Sequence, residues 1–166
     1  MIIILEGADG VGKTTLAKQL AEELNFYTIH MDKPKNVTKA KQQKQWYKEI
    51  LTTRNDVILD RSFYSQMIYP MIQGDKSVYT MTDMLDLERD LSAANGIVIY
   101  VEDTMENIEE VFKTRGDDNV DIDDIDVIIQ NYRALFSMTH KVPIFNYHTT
   151  HSPFEDLMSI INAIND

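Results

Sequence analysis

The sequence has 166 residues, with 16 Lys and Arg against 27 Asp and Glu, a formal net charge of −11 and no cysteine. This length is typical of about one domain with a sizeable core, so we expect a single domain over residues 1–166. The negative charge disfavours polymeric nucleic acid and anionic membranes as partners, and the lack of cysteine excludes disulfides, thiol nucleophiles and cysteine metal sites. Small nucleotides remain compatible partners.

Hydrophobic runs along the chain are short. The opening run is only one strand long and lacks a basic flank, and no later run approaches the length of a membrane span. We therefore expect a cytoplasmic protein without a membrane segment.

Strand and helix patterns alternate in chain order. Repeated β-α alternation predicts an α/β fold, with a five-stranded parallel sheet and helices on both faces. The predicted strands cover residues 2–5, 26–31, 56–60, 96–102 and 143–148, and the predicted helices cover residues 13–24, 38–53, 63–71, 81–94, 105–113, 122–138 and 153–164.

The first strand-to-helix junction fits the phosphate-loop pattern G-x-x-x-x-G-K-[ST]. Glycines let backbone N–H groups approach phosphate oxygens, a lysine supplies a mobile ammonium, and a threonine hydroxyl can bind Mg²⁺. The alternative is a glycine-rich turn that binds nothing. Together with the predicted sheet, this loop indicates a three-layer P-loop NTPase fold. We expect nucleotide binding by Gly7, Ala8, Asp9, Gly10, Val11, Gly12, Lys13, Thr14 and Thr15.

A second informative stretch follows the third predicted strand. Asp60 ends that strand, at the sheet edge where the phosphate loop lies, and can hold Mg²⁺ through water. Arg61 provides a planar fork suited to a phosphate group. The alternative interpretation is a helix-capping aspartate beside a surface arginine.

Both stretches resemble one family. Glu6–Thr15 is similar to the E-G-x-D-G-x-G-K-T-T of thymidylate kinases, and Asp60–Tyr69 resembles their D-R-Y-x-x-S-x-x-A-Y. The stretch His30–Pro34 is also similar to short, phage-type members. The resemblance implies ATP- and Mg²⁺-dependent phosphoryl transfer to a (deoxy)nucleoside monophosphate, most simply dTMP or a related pyrimidine nucleotide, and it suggests a homodimer.

The resemblance also implies roles for individual residues. Asp9 would contact the sugar hydroxyl of the acceptor and Arg61 its phosphate. Arg54 could reach the same phosphate, or could equally balance a helix dipole. The remaining residues implied at the base or ribose are Phe63, Tyr64 and Tyr69.

One departure from the pattern leaves the acceptor open. Ser62 stands where thymidylate kinases usually have an aromatic residue, and the run from Arg61 is similar to the E-R-S-x-x-S of deoxyribonucleoside kinases. In that alternative the acceptor is a nucleoside and Asp32 is its base. Asp9 fits the thymidylate kinase loop better, which favours the monophosphate.

A lid is expected at about residues 113–122, where a polar stretch lies between two helical patterns. By the resemblance, Arg115 is its transition-state cation, whereas pairing with the acidic neighbours is the structural alternative. A hypothesis from another functional class is that the protein is a regulatory P-loop ATPase or GTPase switch, whose output is a conformational change. The chain has no N-K-x-D signature for guanine.

Overall fold

The computed structural model describes residues 1–32, 34, 37–53, 56–74, 77–115, 120–138 and 140–165, with the side chains of all of these except residues 37 and 115. These ranges contain five strands and seven helices. In chain order they are β1 Ile2–Glu6, α1 Lys13–Leu24, β2 Tyr27–His30, α2 Val37–Thr53, β3 Val57–Asp60, α3 Ser65–Ile72, α4 Met81–Ala93, β4 Ile97–Glu102, α5 Met105–Arg115, α6 Ile122–Phe136, β5 Ile144–His148 and α7 Phe154–Asn165.

The five strands form one parallel sheet in the order β2-β3-β1-β4-β5, which confirms the predicted fold class. β1 lies at its centre, with Ile3 opposite Ile58 of β3 and Ile97 of β4. All residues of β1 and β3 are buried. Because successive side chains point to opposite faces, both faces of the central strands are covered, as parallel strands require.

The order of the strands fixes where a ligand can bind. β1 is followed in the chain by β2 on one side of the sheet, and its neighbour β4 is followed by β5 on the other side, so the direction of the connections reverses at β1. Loops after such a strand face a crevice at the carboxyl edge of the sheet. Residues 7–12 follow β1 at this edge.

The predicted boundaries agree with the structure to within two residues for every helix and strand. The third helix begins at Ser65 rather than Phe63, because residues 61–64 form a turn after β3 in which residues 62–64 are buried. None of the helices in the described ranges combines the length and the apolar character that crossing a bilayer requires.

Candidate functional site

The phosphate loop joins β1 to α1, and at two of its positions the backbone has a conformation that favours glycine. Gly7 has φ 149°, and a Cβ there would overlap the carbonyl oxygen of Val101 on β4. Gly12 has φ 88° directly before α1. The loop backbone therefore lies close against β4 and leads into a helix N-terminus, where backbone N–H groups and the helix dipole favour an anion.

Lys13 is the buried cation of this loop, with only 6% of its surface exposed. Its Nζ donates to the carbonyl oxygen of Gly7 at 2.9 Å and to that of Ala8. Burial, and after it the charge of Arg61, lowers the pKa of Lys13 to about 7. A phosphate beside Nζ would favour the charged ammonium again.

Asp60 lies at the carboxyl end of β3 and is almost fully buried. Its Oδ2 accepts a hydrogen bond from Thr14 Oγ1 at 2.8 Å and lies 3.0 Å from His30 Nδ1. Its Oδ1 is buried, and no group of the described residues donates to it. Buried carboxylate oxygens are rarely unpaired, and one beside a threonine hydroxyl fits a hydrated divalent cation that also binds phosphates. Thr14 and Asp60 therefore fit a Mg²⁺ site.

Arg61 follows in a left-handed conformation, with φ 73°, which costs a non-glycine residue roughly 1–2 kcal/mol. Its guanidinium pairs with Asp9 and lies 4.7 Å from the centre of the Tyr69 ring. The Tyr69 hydroxyl donates to the other oxygen of Asp9 at 2.7 Å. Burial alone would lower the pKa of Arg61, but Tyr69 and Asp9 raise it above its usual value, so the guanidinium stays charged.

These groups line one cavity of about 440 Å³ at the carboxyl edge of the sheet. Its polar wall carries both cations and three carboxylates. Its apolar wall consists of Val111 and Phe112 of α5 and of Val120, two residues before α6. The lining residues are Asp9, Gly10, Gly12, Lys13, Thr14, Thr15, His30, Met31, Asp32, Asp60, Arg61, Ser65, Gln66, Tyr69, Gln73, Val111, Phe112 and Val120.

Most of the residues expected from the sequence meet at this cavity, although they come from distant parts of the chain. Asp32 lies in the wall after β2, with its side chain largely exposed. Ala8 and Val11 are buried, so the phosphate loop can offer their backbone groups but not their side chains to a ligand.

Phe63 and Tyr64 correct the sequence-based expectation. Both are fully buried and neither lines the cavity. Phe63 packs edge-on against Tyr47 of α2, and the Tyr64 hydroxyl donates to Glu88 of α4 at 2.8 Å. They precede α3, and their side chains fill the core there instead of lining the cavity.

Three expectations fall wholly or partly outside the described residues. Arg54 and residues 116–119 of the expected lid lie outside them, as does the side chain of Arg115. The described part of the lid differs from a polar loop, because α5 continues to residue 115 and α6 begins at Ile122.

The sequence interpretation missed His30 and Gln66, which line the cavity, and Glu6, which does not line it but accepts a hydrogen bond from the lining residue Ser65. His30 is the last residue of β2, and the strand-end rule that identified Asp60 applies to it equally. Gln66 shares a helical face with Tyr69 and Gln73 by i, i+3, i+7 spacing, and all three line the cavity. Glu6 could be noticed only as a charge at the end of an apolar strand.

Comparison with known proteins gives the class. The family model for the ATPase family associated with various cellular activities (AAA) matches residues 3–141. The chain therefore belongs to this family of P-loop ATPases.

A particular relative is the SPbeta prophage-derived protein YorR of Bacillus subtilis (strain 168). It is 31% identical over 137 residues, which are 82% of each protein. The crystal structure of YorR in complex with phosphorylated GDP matches with a TM-score of 0.81 at 25% identity, over 99% of this chain and 96% of YorR.

Two other structures share the fold at lower identity. Deoxyadenosine kinase from M. mycoides with bound dATP has a TM-score of 0.62 at 19% identity, over the whole of both chains. Shikimate kinase from Bacteroides thetaiotaomicron has a TM-score of 0.62 at 14% identity, over 98% of both chains. At these identities the likeness is one of fold.

Proposed function

We propose that this chain is a kinase that uses ATP and Mg²⁺ to phosphorylate a (deoxy)nucleoside monophosphate, with dTMP or a related pyrimidine nucleotide as the expected acceptor. The observation that carries the proposal is that Lys13, Thr14 and Arg61 line one cavity. The Lys13 ammonium in the phosphate loop suits the triphosphate of a donor, and the planar guanidinium of Arg61 suits a second phosphate, that of the acceptor. The cavity volume of about 440 Å³ is within the ordinary range for ligand pockets.

The roles follow from what phosphoryl transfer requires, which is positioning and stabilisation of charge. Lys13 binds the β- and γ-phosphates. Arg61 holds the acceptor phosphate, since a guanidinium has five N–H donors and its contact with Asp9 leaves others for a ligand. Asp9 accepts from the acceptor's sugar hydroxyl, and Arg115 supplies the cation from the lid.

Thr14 and Asp60 are the residues that would hold Mg²⁺, consistent with the unpaired Oδ1 of Asp60. The bound ion would neutralise charge on the phosphate oxygens. His30, beside Asp60, keeps that carboxylate oriented towards Thr14.

We assign the nucleotide base of the acceptor to the side of the cavity that α3 lines. The Gln66 side chain carries both a donor and an acceptor, and Gln66 is almost fully buried at the cavity. Such an amide can pair with the edge of a pyrimidine or of a purine. Because YorR is described in complex with phosphorylated GDP, purine monophosphates belong among the acceptors tested.

A deoxyribonucleoside kinase is the second candidate. The sequence argument for this candidate is the presence of Ser62 and Ser65 after Arg61. Both hydroxyls donate to Glu6, so a structural role explains these serines without a nucleoside acceptor. What favours it is Asp32, which lines the cavity and carries a carboxylate that could take the proton of a nucleoside hydroxyl. The family match to ATPases favours a third candidate, a switch that hydrolyses ATP.

A coupled assay with ATP and Mg²⁺ tests the proposal against both alternatives. The panel contains deoxynucleosides and deoxynucleoside monophosphates of all four bases, with water as the sole acceptor in the blank. We expect a monophosphate to have the highest kcat/KM. A nucleoside optimum that Asp32→Asn abolishes would establish the second candidate, and turnover that no acceptor accelerates would establish the switch.

A further inference from the structure

Glu6 is a fully buried carboxylate that the proposed chemistry does not use directly. It is the last residue of β1 and precedes the phosphate loop. A buried carboxylate is costly unless several donors satisfy it, so a chain that keeps one depends on the contacts that it makes.

Five donors of the described residues reach this carboxylate, and all are uncharged N–H or O–H groups. Oε1 accepts from the Ser62 hydroxyl at 2.6 Å and from the backbone N–H groups of Ser62 and Ser65 at 2.8 and 3.4 Å. Oε2 accepts from the Ser65 hydroxyl at 2.6 Å and from the Tyr132 hydroxyl at 2.7 Å. Glu6 thereby supplies, from β1, the acidic cap of α3, which has no cap from its own N-cap side chain.

These contacts surround the backbone of Arg61. The residue before Glu6, Leu5, accepts the Arg61 N–H at 3.0 Å, and Glu6 itself holds the next residue, Ser62. Arg61 between them has φ 73°. A strained backbone persists only where its surroundings determine it, and here two consecutive residues of β1 do so.

The same carboxylate also reaches α6 through Tyr132, whose hydroxyl lies 2.9 Å from that of Ser65. α6 begins two residues after Val120, which lines the cavity. Glu6 therefore joins three segments around the cavity: the strand that enters the phosphate loop, the turn that carries Arg61, and the helix that follows the apolar wall.

We infer that Glu6 is a positioning residue, which acts through the Ser62 and Ser65 contacts to aim the Arg61 guanidinium into the cavity. This inference rests on the proposed function, in which Arg61 binds the acceptor phosphate. Glu6 touches neither nucleotide. Its removal misdirects Arg61 and leaves Lys13 and the phosphate loop in place.

The test uses Glu6→Gln and Ser62→Ala. An amide at Oε2 would donate where two hydroxyls now donate, and alanine at position 62 removes the hydroxyl next to Arg61 while keeping the backbone N–H. We expect kcat/KM for the acceptor to fall about tenfold in Glu6→Gln and about threefold in Ser62→Ala, with the KM of ATP within about twofold of wild type.

The matched control is Glu88→Gln, at the other fully buried glutamate, which accepts from Tyr64 away from the cavity. All variants are compared below their thermal midpoints. We expect this control to lose stability as Glu6→Gln does and to keep the acceptor kinetics. An equal loss of acceptor kcat/KM in both variants would overturn the inference, because the effect would then be one of general stability.

A double-mutant cycle with Arg61→Lys separates positioning from structure. If Glu6 acts through Arg61, the effect of Glu6→Gln shrinks to less than about twofold in the Arg61→Lys background, and additive effects overturn the inference. The NMR signal of the Arg61 guanidinium gives a readout that needs no turnover, and we expect it to shift in Glu6→Gln but not in Glu88→Gln. A wild-type protein that phosphorylates no nucleotide defeats the proposed function, whereas an unshifted Arg61 signal defeats this inference alone.

Discussion

Lys13 and Arg61 face the same cavity, but their charges have different neighbours. In the loop wall, residues 10–15, Lys13 donates to carbonyl oxygens of the phosphate loop, and its pKa falls to about 7. In the arginine wall, residues 60–69 together with Asp9, Arg61 has the Asp9 carboxylate and the Tyr69 ring beside it, and its pKa is raised. The charge of Lys13 thus depends on an incoming anion, whereas Arg61 is charged beforehand and depends on orientation.

Because of this difference, we expect ligand binding by the two cations to respond to different changes. A lysine with a low pKa responds to pH and to the charge of its ligand. A guanidinium held by Asp9 and Tyr69 responds to geometry, because its fork must match a phosphate. Each of the following predictions perturbs one wall and leaves the other intact.

The largest effect is expected for Lys13→Ala in the loop wall. Removal of this ammonium should lower kcat by about 10²- to 10³-fold or more, since it removes charge stabilisation from the transition state. The thermal midpoint should stay equal or rise, because a buried lysine is lost. Steady-state kinetics and thermal unfolding check this, with Lys18→Ala, an exposed lysine of the same helix, as the control. Activity close to wild type in Lys13→Ala would remove Lys13 from the catalytic machinery.

In the arginine wall, Arg61→Lys should lower kcat/KM for a monophosphate acceptor by about a hundredfold. The substitution keeps the charge but loses the bidentate fork and the planar contact with Tyr69. Acceptor titrations at saturating ATP measure the change. Arg89→Lys, on the exposed surface of α4, should be neutral. Unchanged acceptor kinetics in Arg61→Lys would show that the fork does not bind a phosphate.

Asp9→Asn should have a smaller effect in the same wall, a loss of about tenfold in acceptor kcat/KM with little change in the KM of ATP. The amide keeps an acceptor oxygen for the Tyr69 hydroxyl but loses the ion pair with Arg61. Comparison with Asp86→Asn, a surface substitution, controls for net charge. A larger loss with ATP than with the acceptor would assign Asp9 to the loop wall instead.

The smallest effect is a proton taken up on nucleotide binding. Above about pH 7 the Lys13 ammonium of the free protein loses its proton, and bound phosphates favour the charged form. ATP binding at pH 8 should therefore take up close to one proton, and affinity should fall by at most about tenfold per pH unit above 7. Calorimetry in two buffers of different ionisation enthalpy measures this uptake. Lys13→Ala should take up none, whereas Arg61→Lys should resemble wild type.

The fold was predictable because its signals are local. The apolar run before Gly7, the amphipathic helix after it, and the repetition of such units define a parallel sheet without knowledge of distant contacts. The phosphate loop was predictable for the same reason, since its glycines and Lys13 are contiguous.

The arginine wall was only partly predictable, because its contacts join distant positions. Asp60, Arg61 and Tyr69 were expected from one stretch and do line the cavity. Phe63 and Tyr64 of that stretch are core residues. Whether an aromatic side chain after Arg61 faces the cavity depends on α2 and α4, which pack against this turn. Glu6 was missed because its five donors come from segments more than 50 residues away.

The most direct test of phosphoryl transfer between the two walls is a single-turnover experiment with γ-³²P-labelled ATP, Mg²⁺, excess enzyme and the preferred monophosphate. The products are separated, and the label on the acceptor is compared with that on inorganic phosphate. We predict that nearly all label moves to the acceptor in wild type, more slowly in Arg61→Lys, and not measurably in Lys13→Ala. Label released only as inorganic phosphate, at a rate that no acceptor changes, would contradict the kinase assignment.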